Sequence, residues 1–164
     1  MKINILKYGE HGLIPYTNFR MIFESIITCP YGHTPIYSDT TIITLYLFEW
    51  LEMNKCDEFR VFVKNKTITC ISQQFMYENF YYDKSILEKK IELIINYFES
   101  NIKQIIEQND FSYDFTFVNN IEYFIEPNSF GKEYAAGSGL FHWLIDYDKL
   151  YGLDKNNIYV RYVV

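Results

Sequence analysis

Apolar residues recur in three- and four-residue steps between Ser85 and Gln108: Leu87, Ile91, Ile94, Ile95, Phe98, Ile102, Ile105 and Ile106. That period places them on one stripe of an amphipathic helix whose opposite face is Lys, Glu and Asn. Ser85, with Glu88 three residues on, fits a capping box at its start. The ordinary role of such a stripe is core packing. Elsewhere the pattern is that of strands. Ile3 to Tyr8 alternates weakly, and Ile42 to Trp50 is a β-branched and aromatic run. Glu58 to Lys64 and Thr67 to Ser72 alternate and meet at Asn65-Lys66, which predicts a hairpin. Phe111 to Val118 and Ile121 to Glu126 form a second hairpin around Asn119-Asn120, because Asn tolerates the positive φ of a tight turn. A shorter helix over Thr17–Thr28 and a closing strand over Ile158–Val163 complete the set. Two hairpins separated by one long helix predict an α+β fold rather than a doubly wound parallel sheet.

The chain has 164 residues, 49% hydrophobic and 20% aromatic, enough for one domain with a sizeable core. Such a composition excludes a disordered or collagen-like chain. Fifteen basic against 21 acidic residues give a net charge of −6, so no nucleic-acid partner is expected. Cys29, Cys56 and Cys70 are scattered without a CxxC pair, beside three histidines, which argues against structural zinc and a disulfide framework. Buried thiols in a reducing cytoplasm are the expectation. No apolar run approaches the ~18 residues of a membrane span, and the apolar run after Met1 is too short for a signal peptide.

The sharpest chemical signal is Phe111-Ser112-Tyr113-Asp114-Phe115 followed by Ile125-Glu126-Pro127-Asn128. Glu126 and Asn128 are two apart, so both side chains point to one face of an extended strand. With Asp114 they make an all-oxygen set, which suits Mg²⁺ carrying nucleotide phosphates rather than zinc. The alternative is that Asp114 and Glu126 are edge charges facing water. Register separates the two. A plain two-residue turn at Asn119-Asn120 pairs Val118 with Ile121 and therefore Asp114 with Ile125, which leaves Asp114 and Glu126 on opposite faces. A shared site needs a three-residue loop or a bulge, and one is predicted here. The second signal is Glu58-Phe59-Arg60-Val61-Phe62-Val63, where alternation sets Glu58, Arg60 and Phe62 on one face. That pair of charges is either a surface salt bridge or a phosphate contact, a geometry the forked guanidinium suits.

In order, these segments resemble the cell division cycle protein 123 family, a branch of the ATP-grasp fold. The matching stretches are Trp50-Leu51-Glu52-Met53, Glu58 to Lys64, Ile71-Ser72-Gln73, a tyrosine-rich segment ending in Tyr82-Asp83, the long helix, Tyr113-Asp114, Phe124 to Gly131, and Leu140-Phe141-His142-Trp143. The resemblance implies an α+β, ATP-grasp-like fold with antiparallel sheets, a long amphipathic helix and a nucleotide cleft between two lobes. The chain would be a single domain, with residues 1–50 as the smaller lobe and 51–164 as the metal-binding lobe. By the same analogy Asp114, Glu126 and Asn128 hold Mg²⁺, the backbone of Glu49, Trp50 and Leu51 faces the adenine of ATP, Glu58 reaches the ribose, and Arg60 lies near the phosphates. Lys7 is the candidate for the strand lysine that ATP-grasp proteins place on phosphate. Glu126 stands where the family usually has Asp, a change that keeps a metal ligand. Family members are longer, and they look like assembly factors for the gamma subunit of eukaryotic translation initiation factor 2, which makes that subunit the expected partner.

Gly131, Gly137 and Gly139 do not form a dinucleotide fingerprint, and Ser138 lacks the spacing of a nucleophile elbow. The segment 131–139 reads instead as a loop beside the cleft. His11 and His33 read as loop residues and His142, between Phe141 and Trp143, as a core residue. Two further functions remain open: a carboxylate–amine ligase working through an acyl phosphate, and an interaction scaffold without nucleotide.

Overall fold

A computed structural model of the chain describes residues 15–28, 39–75, 83–134, 137–154 and 157–163. The predicted strand Ile3–Tyr8, Lys7, His11, Cys29 and His33 lie outside the described residues. The chain divides into two compact units, Met1–Trp50 and Leu51–Val164.

In the first unit, α1 spans Phe19–Thr28. Asn18 starts it, its Oδ1 accepting the Met21 N–H at 3.1 Å, and Arg20 pairs with Glu24 one turn on. The run Ile42–Trp50 forms no strand. A β-branched, aromatic sequence favours extended backbone, but a strand exists only where a neighbour completes the ladder.

The second unit is built on one sheet. Strands β1 (Phe59–Lys64), β2 (Thr67–Gln73), β3 (Phe111–Val118), β4 (Ile121–Asn128) and β5 (Tyr159–Arg161) lie in the order β4-β3-β1-β2-β5. The two expected hairpins thus share a sheet through antiparallel β1–β3 pairing, and β5 adds a parallel edge to β2. Both turns have two residues at positive φ, Asn65 and Lys66 (49° and 59°) and Asn119 and Asn120 (53° and 63°). That left-handed pair matches the twist of the flanking strands.

Each hairpin carries one bulge, on its second strand. In the first, Phe62 faces Cys70 while Val63 faces Ile68, so Thr69 is the extra residue. Its hydroxyl donates to the Leu150 carbonyl at 2.8 Å. In the second, Asp114 faces Glu126 while Phe115 faces Phe124, so Ile125 is extra. The bulge that the Asp114–Glu126 spacing predicts is present.

One face of the sheet is covered by the helix that follows β2. It runs as α2 (Lys84–Tyr97), a π-helical turn (Phe98–Ile102) and α3 (Lys103–Ile105). Leu87, Ile94, Phe98 and Ile102 bury against Phe59, Val61, Ile71, Phe111, Tyr113 and Phe115. Each fully buried large side chain there contributes roughly 1.5–3 kcal/mol relative to exposure. The cap is Asp83 rather than Ser85: its carboxylate accepts the Ser85 N–H at 2.7 Å and the Ser85 hydroxyl at 2.6 Å. A carboxylate also favours the positive helix end, so it takes precedence over the capping box. The helix stops at Ile105, short of Gln108, because Lys66 donates from the first hairpin turn to the Ile106 carbonyl and Ile106 turns extended. On the other face Phe62, Cys70, Phe130, Phe141 and Leu150 form a smaller core beneath the segment 129–151, which ends in α4 (Tyr147–Leu150). His142 is exposed rather than in that core, and its Nδ1 accepts the backbone N–H groups of Leu144 and Ile145.

Candidate functional site

The ladders place one residue from each strand in a single transverse row: Glu126 on β4, Asp114 on β3, Arg60 on β1, Ser72 on β2 and Arg161 on β5. Both bulges are required. Without the one at Thr69, Arg60 would face Ile71; without the one at Ile125, Asp114 would face Ile125. A one-residue slip reverses a strand's faces, so the bulges put the polar row on the face away from the helix.

Toward its β4 end this row holds Asp114 and Arg60. The guanidinium donates from Nε to one carboxylate oxygen at 2.8 Å and from Nη2 to the other at 2.7 Å, a two-pronged pair with side chains 10% and 6% exposed. Gln74 Nε2 adds a bond to Oδ1 at 3.2 Å, and Asn128 Nδ2 one to Oδ2 at 3.1 Å. The remaining Arg60 nitrogen, Nη1, donates to the Gly137 carbonyl at 2.8 Å. Glu58, just before β1, and the exposed Glu126 complete the cluster.

Its electrostatics are unbalanced: three carboxylates, Glu58, Asp114 and Glu126, stand against one guanidinium. Burial disfavours the Arg60 charge, yet the hydrogen bonds and charge of Asp114, with Glu126 and Glu58, hold its pKa above the ordinary value. Burial and the charge of Asp114, helped by Glu126 and opposed by Arg60, push the Glu58 carboxyl up. Thr116, two residues along β3 and so on the same face as Asp114, keeps a buried hydroxyl without a hydrogen-bond partner. Among the described residues no three His, Cys, Asp or Glu side chains gather as a ready metal site.

The other end of the row is anchored differently. Arg161 donates to both oxygens of Asp146, at 2.7 and 2.6 Å, and Asp146 also accepts the His142 N–H at 3.0 Å. Lys149 adds a second cation 3.6 Å from Asp146. Arg161 further donates to the Leu140 carbonyl, whose own N–H donates to Ser72 Oγ at 2.8 Å. The segment Gly137–Phe141 is thereby laid across the row. Gly139, at φ +59°, lies so close that a Cβ there would stand 2.4 Å from Ser72 Oγ.

Of the residues expected at the site, Asp114, Glu126, Asn128, Arg60 and Glu58 are brought together. Glu49 and Trp50 belong to the first unit and are exposed; Leu51, half-buried, opens the second. Lys7 lies outside the described residues. Sequence reasoning missed Gln74, Gly137 and the Arg161–Asp146 pair as parts of this face. A signal existed for Ser72: Ile68 and Ile71 are three apart yet share the helix face, the mark of a bulge.

Beside Asn128 a cleft of about 450 Å³ opens between the end of β4 and the start of β3, lined by Ile106, Phe111, Pro127, Phe130 and Tyr134.

The family model D123 matches residues 30–161. Among solved structures, C-terminally truncated Cdc123 from Schizosaccharomyces pombe is similar at TM-score 0.55 and 23% identity, over 71% of this chain and 43% of that one. Cdc123 from the same organism is similar at TM-score 0.53 and 24% identity, over 68% of this chain and 43% of that one. The likeness is one of fold, and the chain spans less than half the length of these structures. No curated protein matches it. With the family model covering residues 30–161, the chain belongs to the D123 family, the cell division cycle protein 123 family that its ordered motifs resemble.

Proposed function

We propose that the chain is an ATP-grasp-type protein that binds ATP with Mg²⁺ on the polar row, with the gamma subunit of eukaryotic translation initiation factor 2 as its client. What supports this most is the bulge at Ile125 together with the β1–β3 register, which sets Asp114, Glu126 and Arg60 in one row on one face. The excess of carboxylate over guanidinium there fits a divalent cation, and the donors are all oxygens, the set Mg²⁺ prefers. Bound there, Mg²⁺ would neutralise phosphate charge. Asp114, Glu126 and Asn128 would hold it, Arg60 and Lys7 would face phosphate, Glu58 the ribose, and the backbone of Glu49, Trp50 and Leu51 the adenine. In this reading residues 1–50 are the smaller lobe and 51–164 the metal-binding lobe. Binding of ATP would shape a surface for the client, so the product is an assembled complex.

Calorimetry with MgATP on the wild type and on Glu126→Ala/Asn128→Ala tests this. Glu126 is exposed on an edge strand, so the double variant is expected to keep its circular dichroism spectrum while losing binding. A folded wild type that binds no MgATP, or a double variant that binds like the wild type, refutes the reading. Capture of the gamma subunit from a translating extract by the wild type tests the client.

The cleft beside Asn128 favours a second reading, an ATP-dependent carboxylate–amine ligase with that cleft as its acceptor pocket. It predicts ATP turnover that depends on an added amine. The saturated hydrogen bonding of Asp114 favours a third, a scaffold that keeps the fold without nucleotide.

A further inference from the structure

We infer that the Arg60–Asp114 pair is an interlock that admits a metal cation and a phosphate only together; this rests on the nucleotide reading above. Each Asp114 oxygen already accepts two hydrogen bonds, Oδ1 from Arg60 Nε and Gln74 Nε2, Oδ2 from Arg60 Nη2 and Asn128 Nδ2. All three Arg60 nitrogens are engaged as well, Nε and Nη2 on Asp114 and Nη1 on the Gly137 carbonyl. A cation that took Asp114 by itself would strand the buried guanidinium. An anion that took Arg60 by itself would strand the buried carboxylate. Either loss is heavy, because one partner of a buried pair is left uncompensated. A cation arriving with its own phosphate replaces both at once, the cation standing for Arg60 at Asp114 and the phosphate oxygens for Asp114 at Arg60. Ser72 and Arg161 hold the segment Gly137–Phe141 at Leu140, and the Gly137 carbonyl binds Nη1, the Arg60 nitrogen that does not serve Asp114, so that bond persists through the exchange.

Glu58 and Glu126 sharpen the effect on anions. With Asp114 still charged, a free polyphosphate would meet three carboxylates around one guanidinium, so the metal is needed to turn Asp114 and Glu126 from repulsion into attraction.

The test is calorimetry on the full chain with three titrants: MgCl₂ alone, ATP in EDTA, and MgATP. Wild type is expected to bind MgATP at least ~100-fold tighter than ATP in EDTA, and to bind MgCl₂ alone at least ~100-fold more weakly than in the presence of ATP. Asp114→Asn releases Arg60, and its affinity for ATP in EDTA should rise at least ~10-fold over wild type. Arg60→Gln should gain similarly for MgCl₂ alone; this second variant, with the wild-type titrations, decides the matter if Asp114→Asn does not fold. Wild type binding ATP in EDTA within a few-fold of MgATP overturns the interlock and leaves the nucleotide reading standing. No gain in a folded Asp114→Asn also overturns it. No binding of MgATP by folded wild type overturns both.

Discussion

The two ends of the polar row hold one arginine–aspartate pair each, that of Arg60 buried and that of Arg161 with its arginine 39% exposed, and they balance charge in opposite ways. At the Arg161 end, Asp146 accepts from Arg161 twice and from the His142 backbone, with Lys149 nearby, so two cations serve one carboxylate. Every oxygen there has a partner from the segment it fastens, and the pair works as a clamp on residues 140–149. At the Arg60 end three carboxylates, Glu58, Asp114 and Glu126, act on one guanidinium, a surplus of negative charge. Two pairs of similar geometry in one sheet therefore have different jobs. The balanced one holds a loop, and the unbalanced one leaves negative charge for an outside cation to neutralise. Such pairs are weak evidence for stability in themselves, so it is the surrounding charge that tells them apart.

Removing the carboxylate from each pair is the strongest way to test that difference. Asp114→Asn takes the two-pronged partner from the buried Arg60 guanidinium and should cost about 3 kcal/mol of unfolding free energy. Asp146→Asn leaves Arg161 and Lys149 facing a neutral group, but both are 39% exposed and turn to water, so it should cost about 1–2 kcal/mol. Urea denaturation of both variants measures this, and equal or reversed costs would break the comparison.

A smaller effect comes from the segment that joins the two ends. Gly139→Ala puts a Cβ into a left-handed residue against Ser72 and should cost roughly 2 kcal/mol. If the clamp at Arg161 and the cluster at Arg60 are independent apart from this segment, the variant should weaken MgATP binding far less than Glu126→Ala/Asn128→Ala does. A loss of binding as large as in the double variant would show instead that the whole row acts as one unit.

What could be read from the sequence was what is set locally. The Asn65-Lys66 and Asn119-Asn120 turns, the apolar stripe from Leu87 to Ile102 and the alternation of β1 each follow from residues close together in the chain. The bulge at Ile125 was legible too, because a ladder counted outward from a tight turn leaves Asp114 and Glu126 apart. Asp83 was overlooked as a cap because Ser85 and Glu88 offer a competing local pattern, and only geometry shows the Ser85 hydroxyl turned back to Asp83. Ile42–Trp50 reads as a strand by propensity, whereas pairing decides. The Arg161–Asp146 clamp joins residues from β5 and from the loop before α4. No spacing rule predicts that pair, since it depends on where a parallel edge strand settles against β2.

The mildest test of the comparison is pH, because the two ends respond with opposite sign. Burial works against the Asp146 charge, but the hydrogen bonds of Arg161 and the His142 backbone, with the charges of Arg161 and Lys149, outweigh it and hold the carboxyl below the ordinary range. Its contribution to stability is present above the unfolded pKa and is lost as pH falls through the folded one. Glu58 is raised instead, by burial and by its carboxylate neighbours. Its proton is held more tightly in the folded chain, so its contribution is full below the unfolded pKa and disappears as pH rises through the folded pKa. Glu58→Gln removes that proton from the balance. The variant's stability should therefore decline less than the wild type's as pH climbs from the carboxylate range to neutrality, while the loss on acidification that Asp146 causes stays in both. Paired urea melts across that range read the two slopes. Parallel curves for wild type and Glu58→Gln would mean that the carboxylates at the Arg60 end do not press on one another. The case for a cation-seeking site would then have to stand on the register of the row alone.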